Sequence, residues 1–407
     1  MTLAAHASPT PGVPGWLKHA GGVSIAFSRW IAAVGVVGMV GIAFLTTIDA
    51  ILREFSLQPI AALNEIVALV FAVSIAACLP YAIAVGEHLT VDLLEKRIGP
   101  RAGAQLELVA SILTLAFFGF LTWQISGYAN ELASQGRVTV ILNWPEPPFL
   151  YAVATLFGIT TLLQTLMILM ALYRISGIYR GAPGARGDGA WVTGGLIVLC
   201  ALGTYAAANF EQASAAIQSQ AMISSLLSLV ILWILMLAKL PMGTVMGLVG
   251  VVGSMFFLGT MPALTALGST AAGFLTNPDV AVLPLFLLMG SLAAVAGLAE
   301  DIYHLAQATL KGFRGGLALA TIGGCAGFGA VTGSSIATVA TIGKVAIPEM
   351  RQRGYSDKLI TGSVAAGGTL GQIVPPSTAI IVYALLTEQS IGRLFVVYQE
   401  GAHRVVL

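Results

Sequence analysis

The residues best placed to do chemistry in this sequence are neutral ones. Two stretches of 29 residues each, 315–343 and 359–387, contain no Asp, Glu, Lys, Arg or His. The first holds Gly315, Gly316, Gly323, Gly324, Gly327, Gly329, Gly333 and Gly343, with Ser334 and Ser335 within it. The second holds Gly367, Gly368, Thr369 and Gly371, followed by Pro375, Pro376 and Ser377. An ion in either stretch has to be held by hydroxyl and carbonyl oxygen. That donor set suits a hard cation such as sodium and leaves no fixed charge in lipid when the site empties. Catalysis is disfavoured by the same residues. H-E-x-x-H is absent, and neither stretch supplies a His or Lys to activate Ser334 or Ser335. Cys78, Cys200 and Cys325 each sit alone in an apolar run, as small buried hydrophobes do, so neither a disulfide framework nor a zinc site is expected.

The elements that must position these residues follow from composition. Of 407 residues only 9% are charged and 57% are hydrophobic, with a mean hydropathy of +0.90. Soluble domains average about 25% charged, so this chain cannot coat a water-exposed surface. It reads as an all-α membrane protein whose first partner is the lipid bilayer. A net charge of +1 with scattered basic residues excludes nucleic acid as a partner. A membrane-crossing helix needs about 20 apolar residues, and eight runs qualify: 30–48, 66–86, 108–130, 147–173, 190–210, 221–238, 242–259 and 280–299. Residues 1–23, with Pro9, Pro11 and Pro14, lack a basic segment followed by an apolar core, which predicts a disordered cytoplasmic tail rather than a signal peptide. The segment AEDIYHLAQATLKGF reads as an interfacial helix with His304 on its solvated face, and Trp144 and Trp191 read as interfacial anchors.

Basic loops stay cytoplasmic, which orients the chain with its N-terminus inside. Lys344, Arg351, Arg353 and Lys358 then decide the nature of 315–343. A single crossing gives 13 basic residues inside and 6 outside, whereas a hairpin that returns to the same face gives 15 and 4. The second tally favours a re-entrant hairpin open to the cytoplasm. Two arms of about 14 residues would each reach about 20 Å, past the midplane, with the turn near Gly329 to Ser335. Non-helical backbone at that depth is tolerated only where protein or a water-filled cavity satisfies it. Pro375 and Pro376 likewise break the second stretch into two half-helices. Their N-termini would suit an anion, and their unwound carbonyls a cation. The expected total is about nine transmembrane helices, the last broken, plus one re-entrant helical hairpin.

Residues 174–189, RISGIYRGAPGARGDG, form a polar linker that splits the chain. Before it, Asp49, Arg53, Glu65, His88 and Asp92 lie near span ends, where they read as interfacial charges and helix caps. The runs GFGAVTGSSIATVATIGKVAIPEMRQRGY and AAGGTLGQIVPPSTAIIVYALLTEQSIGRLF resemble the first hairpin and following broken helix of the large membrane subunit of tripartite ATP-independent periplasmic (TRAP) transporters. The four-span unit, with Asp49, Arg53 and the run GEHLTVD, is similar to the small membrane subunit of the same systems. The chain thus resembles a fusion of small (Q) and large (M) subunits. The organisation this implies is a tail (1–23), a four-span small-subunit-like domain (24–173), a linker with one extra span (174–220), the first half of a large-subunit-like transport domain (221–395) and a non-matching tail (396–407).

The resemblance implies the permease part of a sodium-coupled importer in the bacterial inner membrane. A periplasmic substrate-binding protein would deliver an organic anion, of the dicarboxylate or sugar-acid class. The fold implied is half of an inverted-repeat elevator. The sodium site it implies involves Gly333, Ser334, Ser335 and Thr338 at the hairpin tip with Gly367, Gly368, Thr369 and Gly371, while Pro375, Pro376 and Ser377 would line the substrate side. No other cofactor is implied. The likeness stops at Phe395, where the family's large subunit continues into a second repeat. Truncation, a frameshift or a separate chain supplying that repeat would each explain this, and each leaves the chain incomplete as a transporter on its own. The alternative is a non-transporting or defective membrane protein, or a scaffold completed by another polypeptide.

Overall fold

The computed structural model describes residues 15–55, 58–86, 100–181, 208–237, 240–374 and 377–397. Most of the expected tail, His88, Asp92, the expected span at 190–210 up to residue 207, Pro375, Pro376 and residues 398–407 lie outside them.

The described chain is helical because a backbone in lipid has no water to bond and must satisfy itself within each segment. In chain order the helices are α1 (Gly15–Glu54), α2 (Leu63–Val85), α3 (Pro100–Ser134), α4 (Pro147–Gly181), α5 (Phe210–Ser219), α6 (Ala221–Leu237), α7 (Met242–Leu258) and α8 (Thr260–Leu275). They continue with α9 (Val282–Val295), α10 (Leu298–Leu310), α11 (Gly316–Thr332), α12 (Ser335–Gln352), α13 (Asp357–Ile373) and α14 (Thr378–Leu386). Five spans are long and apolar enough to cross a membrane: α1 to α4, and α13 taken together with α14. Two bent pairs raise this to seven, α5 with α6 at 106° and α9 with α10 at 68°. The expected crossing at 280–299 therefore ends early. Gly297 takes φ 82°, a left-handed conformation that glycine adopts freely, and Glu300 and Asp301 open α10 as a separate amphipathic helix. Helix α8 falls outside every expected span; with 16 residues it is too short to have stood out.

Two compact units divide at Thr276 and Asn277. In the first, α2, α3 and α4 meet over Ala72, Ala76, Leu121, Ile125, Val153, Ala154 and Phe157, with Leu267 and Ala271 of α8 packed against them. Ala110 of α3 shares a second cluster with Met236, Leu240 and Val245. So α6 to α8, on the large-subunit side of the expected division at 220/221, pack with the four-helix unit. Gly247 of α7 faces the Phe117 ring, and the buried hydroxyls of Thr114 and Thr244 lie 3.4 Å apart. In the second unit α11 is central, packed by α9, α10, α12 and α13 around Tyr303, Cys325, Phe328, Ile342 and Ala346.

Candidate functional site

The two neutral stretches are both interrupted, and the interruptions are made by residues whose local preferences call for them. Helix α11 ends at Thr332, and Gly333 follows with φ 58°, its N–H donating to Gly329 O at 2.7 Å. A left-handed glycine just beyond a helix is the commonest way to stop one. Ser334 is extended and caps α12, its Oγ accepting from the Ala337 N–H at 3.4 Å. The turn therefore sits at Gly333–Ser334, at the late end of the expected range. Its arms are longer than expected, at 17 and 18 residues, because α12 runs on to Gln352. In the second stretch Val374 is extended after α13, and Ser377 is extended before α14.

The two interruptions touch. Thr378, the first residue of α14, donates to the carbonyl oxygen of Gly333 twice, from its N–H at 3.2 Å and from Oγ1 at 2.9 Å. Beside this contact, Ser335 Oγ donates to Gln372 Oε1 at 3.0 Å. The hydroxyls of Thr332 and Thr338, both buried, lie 3.1 Å apart. Ser377 is fully buried, and its Oγ meets no hydrogen-bond partner among the described residues. A buried hydroxyl left unpaired costs about 1–3 kcal/mol, so a bound species that engaged it would recover that cost.

Glycines permit this convergence. A Cβ on Gly371 would stand 3.0 Å from both Gly329 Cα and Thr338 Oγ1, and one on Gly367 would stand 2.8 Å from Cys325 Cβ. At Gly329 and Gly371 neither helix carries a side chain, and one turn away Gly367 leaves room for the side chain of Cys325, so the backbones of α11 and α13 can approach this closely. Gly368 faces Val339 in the same way.

Of the residues singled out from the sequence, Ser335, Thr338, Gly367, Gly368 and Gly371 lie where α11 and α12 meet α13, Gly333 at the turn meets α14, and Ser334 caps α12 beside it. Ser377 lies at the second break. Thr369 does not join them: it is exposed, and its Oγ1 donates to Ala366 O at 2.7 Å. Sequence reasoning missed Gln372, Thr332 and Thr378. Gln372 is the one amide side chain in 359–387 and lies just ahead of the double proline, a signal that was there to be read. No group of three or more His, Cys, Asp or Glu that could hold a metal occurs among the described residues. The chemistry open to the junction is the binding of a hard cation by neutral oxygen, with the N-terminal dipole of α14 available to an anion nearby.

The acidic residues of the first unit bind backbone. Asp49 accepts from Arg53 Nε at 2.7 Å and from the Ile60 N–H at 2.6 Å, so one carboxylate pins both its own helix end and the loop that follows. Glu65 accepts the N–H groups of Ile141 and Leu142 at 2.8 and 3.0 Å.

Two family models match the chain in succession. One describes tripartite ATP-independent periplasmic transporters, DctQ component, over residues 42–178, and the other the DctM component of the same transporters, over residues 229–397. Among curated proteins, the C4-dicarboxylate TRAP transporter large permease protein of Pseudomonas aeruginosa is 43% identical over 114 residues, 28% of this chain and 27% of that protein. The isethionate TRAP transporter permease protein DctMQ of Oleidesulfovibrio alaskensis is 41% identical over 28% of this chain and 18% of its own length. The sialic acid TRAP transporter permease protein of Haemophilus influenzae is 34% identical over the same two shares. The matched stretch thus spans about a quarter or less of each of these relatives. With a DctQ-type segment followed by a DctM-type segment on one polypeptide, arranged as an all-helical multi-pass membrane protein, the chain belongs to the membrane permease proteins of the TRAP transporters.

Proposed function

We propose that this chain is the membrane permease component of a sodium-coupled, binding-protein-dependent importer of an organic acid in the bacterial inner membrane. The observation that carries the reading is the junction of two helix breaks at Gly333 O, built from hydroxyl, amide and carbonyl oxygen and free of titratable side chains. In this reading α11 and α12 form a re-entrant hairpin open to the cytoplasm, with the chain's N-terminus on that side. Sodium is bound by oxygens of Gly333, Ser334, Ser335 and Thr338 together with the α13 segment at Gly367, Gly368 and Gly371, while Thr369, expected from the sequence to join them, stands on the exposed face of α13. The substrate contacts the break at Pro375, Pro376 and Ser377. The hairpin and broken helix move together as part of an elevator, and a periplasmic binding protein supplies the substrate.

The substrate class rests on names borne by similar proteins: a dicarboxylate, isethionate and sialic acid, all organic anions. We favour a dicarboxylate or sugar acid. Coupling arithmetic then demands co-transported cations, for which sodium is our choice. Each ion entering down a tenfold gradient contributes about 1.4 kcal/mol, and about 2.3 more at 100 mV. Importing a dianion costs about 4.6 kcal/mol in charge alone at that potential, so at least two cations are required for electroneutrality.

The test is thermal unfolding of the purified full chain with sodium or with choline as the control cation. Sodium at a hundred times its dissociation constant should stabilise the fold by about 2.7 kcal/mol, and Ser334→Ala should reduce the shift. A parent protein that unfolds identically in both salts would refute the site.

A further inference from the structure

Between α3 and α4 the chain forms a tight tip whose apolar side chains point away from the protein. Val140 is 91% exposed, Ile141 58%, Trp144 45% and Val138 44%. No charged residue occurs from 138 to 144. Such a tip in water would be an unpaired hydrophobic patch on a short loop.

Four of its backbone N–H groups are taken within the protein. Thr139 N–H donates to Trp144 O at 2.9 Å, and Trp144 N–H donates to Thr139 Oγ1 at 3.0 Å. The N–H groups of Ile141 and Leu142 are taken by the Glu65 carboxylate. Below the tip, Val138 and Pro145 form an antiparallel bridge, Glu146 N–H donates to Arg137 O at 3.3 Å, and the Arg137 and Glu146 side chains pair at 3.8 Å. Asn143 adopts φ 53°, a turn conformation that asparagine tolerates. A loop facing water could leave its donors to the solvent. One that carries apolar side chains into lipid gains from satisfying them internally, as this one does at Thr139, Ile141, Leu142 and Trp144.

Glu65 also sets the height of the tip. It lies in the first turn of α2, and the tip hangs between the end of α3 and the start of α4, three helices long and apolar enough to cross the membrane. The tip is therefore continuous with the lipid-facing surface at the edge of the hydrocarbon layer. Aliphatic side chains with a tryptophan are what that layer takes. The flanking charges pair locally, which removes the free charge that would steer a protein partner. We propose that residues 138–144 are a lipid-interface anchor. Val140, Ile141 and Trp144 insert into the interfacial layer of the adjacent leaflet, and Glu65 is the positioning residue that holds the tip at that depth. This proposal is independent of the transport reading.

The experiment uses the full chain in vesicles of phosphatidylethanolamine and phosphatidylglycerol. A nitroxide is placed on Val140→Cys in a Cys78→Ala, Cys200→Ala, Cys325→Ala background, with Gln135→Cys as the water-exposed control. Dissolved oxygen should relax the label at 140 more strongly than a water-soluble nickel chelate, and the order should reverse at 135. Glu65→Ala should shift the label at 140 toward the nickel-accessible side; no shift would overturn the positioning role. A second readout keeps the native cysteines. Brominated phosphatidylcholine added to the vesicles should quench a component of the fluorescence that Trp144→Phe removes. Nickel accessibility at 140 equal to that at 135, together with no Trp144 component in the quenching, would overturn the anchor. So would a label shielded from both reagents only when a periplasmic binding protein is added, because the tip would then be a protein-docking surface.

Discussion

At the scale of single residues, the junction depends on one backbone conformation and one hydroxyl. Gly333 holds φ 58° and presents its carbonyl to Thr378. Gly333→Ala puts a Cβ into left-handed backbone at a cost of about 1–2 kcal/mol, so its thermal midpoint should fall. Thr378→Val keeps the shape and removes the Oγ1 donor, which should cost about 1 kcal/mol, whereas Thr378→Ser should restore most of that loss. Equal midpoints for Val and Ser at 378 would show that the hydroxyl bond contributes nothing. Half of this junction was legible beforehand. Thr-Gly-Ser-Ser reads directly as a helix stop followed by a cap, because those preferences are local. The partners of the turn were not legible. Ser335 finds Gln372, and Gly333 finds Thr378, across long stretches of chain, and nothing in either local sequence encodes the pairing.

At the scale of elements, glycine position decides which helix faces can meet. Gly371 and Gly362 lie on the same helix, α13. A Cβ on the first would press on Gly329 and Thr338, whereas one on the second meets nothing within 4 Å. Gly371→Ala should destabilise the second unit by about 1–3 kcal/mol through overpacking. Gly362→Ala should be neutral or stabilise by about 0.5–1 kcal/mol, since alanine loses less entropy in a helix. Chemical or thermal unfolding of the two variants side by side checks this, and a Gly371→Ala protein as stable as the parent would contradict the close crossing. The sequence placed a turn near Gly329 to Ser335 and a break at the double proline, and the helices are interrupted at both places, α11 ending at Thr332 and α13 at Ile373. It did not place the α9–α10 bend, because the apolar run continues through Ala296 and Gly297 to Ala299 while the backbone turns.

At the scale of the whole molecule, the polar linker is a poor guide to what packs with what. The run 174–189 marks a change in sequence likeness, and a reader of composition divides the chain there. Packing follows buried surface instead, and α6 to α8 carry apolar residues and glycines that fit the flank of α3. The contact of Gly247 with Phe117 makes this testable. Gly247→Leu should drive a branched side chain into the ring and lower the stability of the first unit by about 1–3 kcal/mol. Phe117→Ala alone should cost about 3–5 kcal/mol if the ring is packed as tightly as in a core, and less here because it is only partly buried. Combining the two should give a protein more stable than the sum of the separate losses predicts, because the leucine then occupies the space the ring has left, and contacting residues couple where distant ones add. Strict additivity in that double-mutant cycle would mean that α7 does not rest on α3, and the large-component helices would then have to be assigned away from the four-helix unit. A coupling of 0.5 kcal/mol or more would instead fix α7 to α3, as the contact of Gly247 with the Phe117 ring requires.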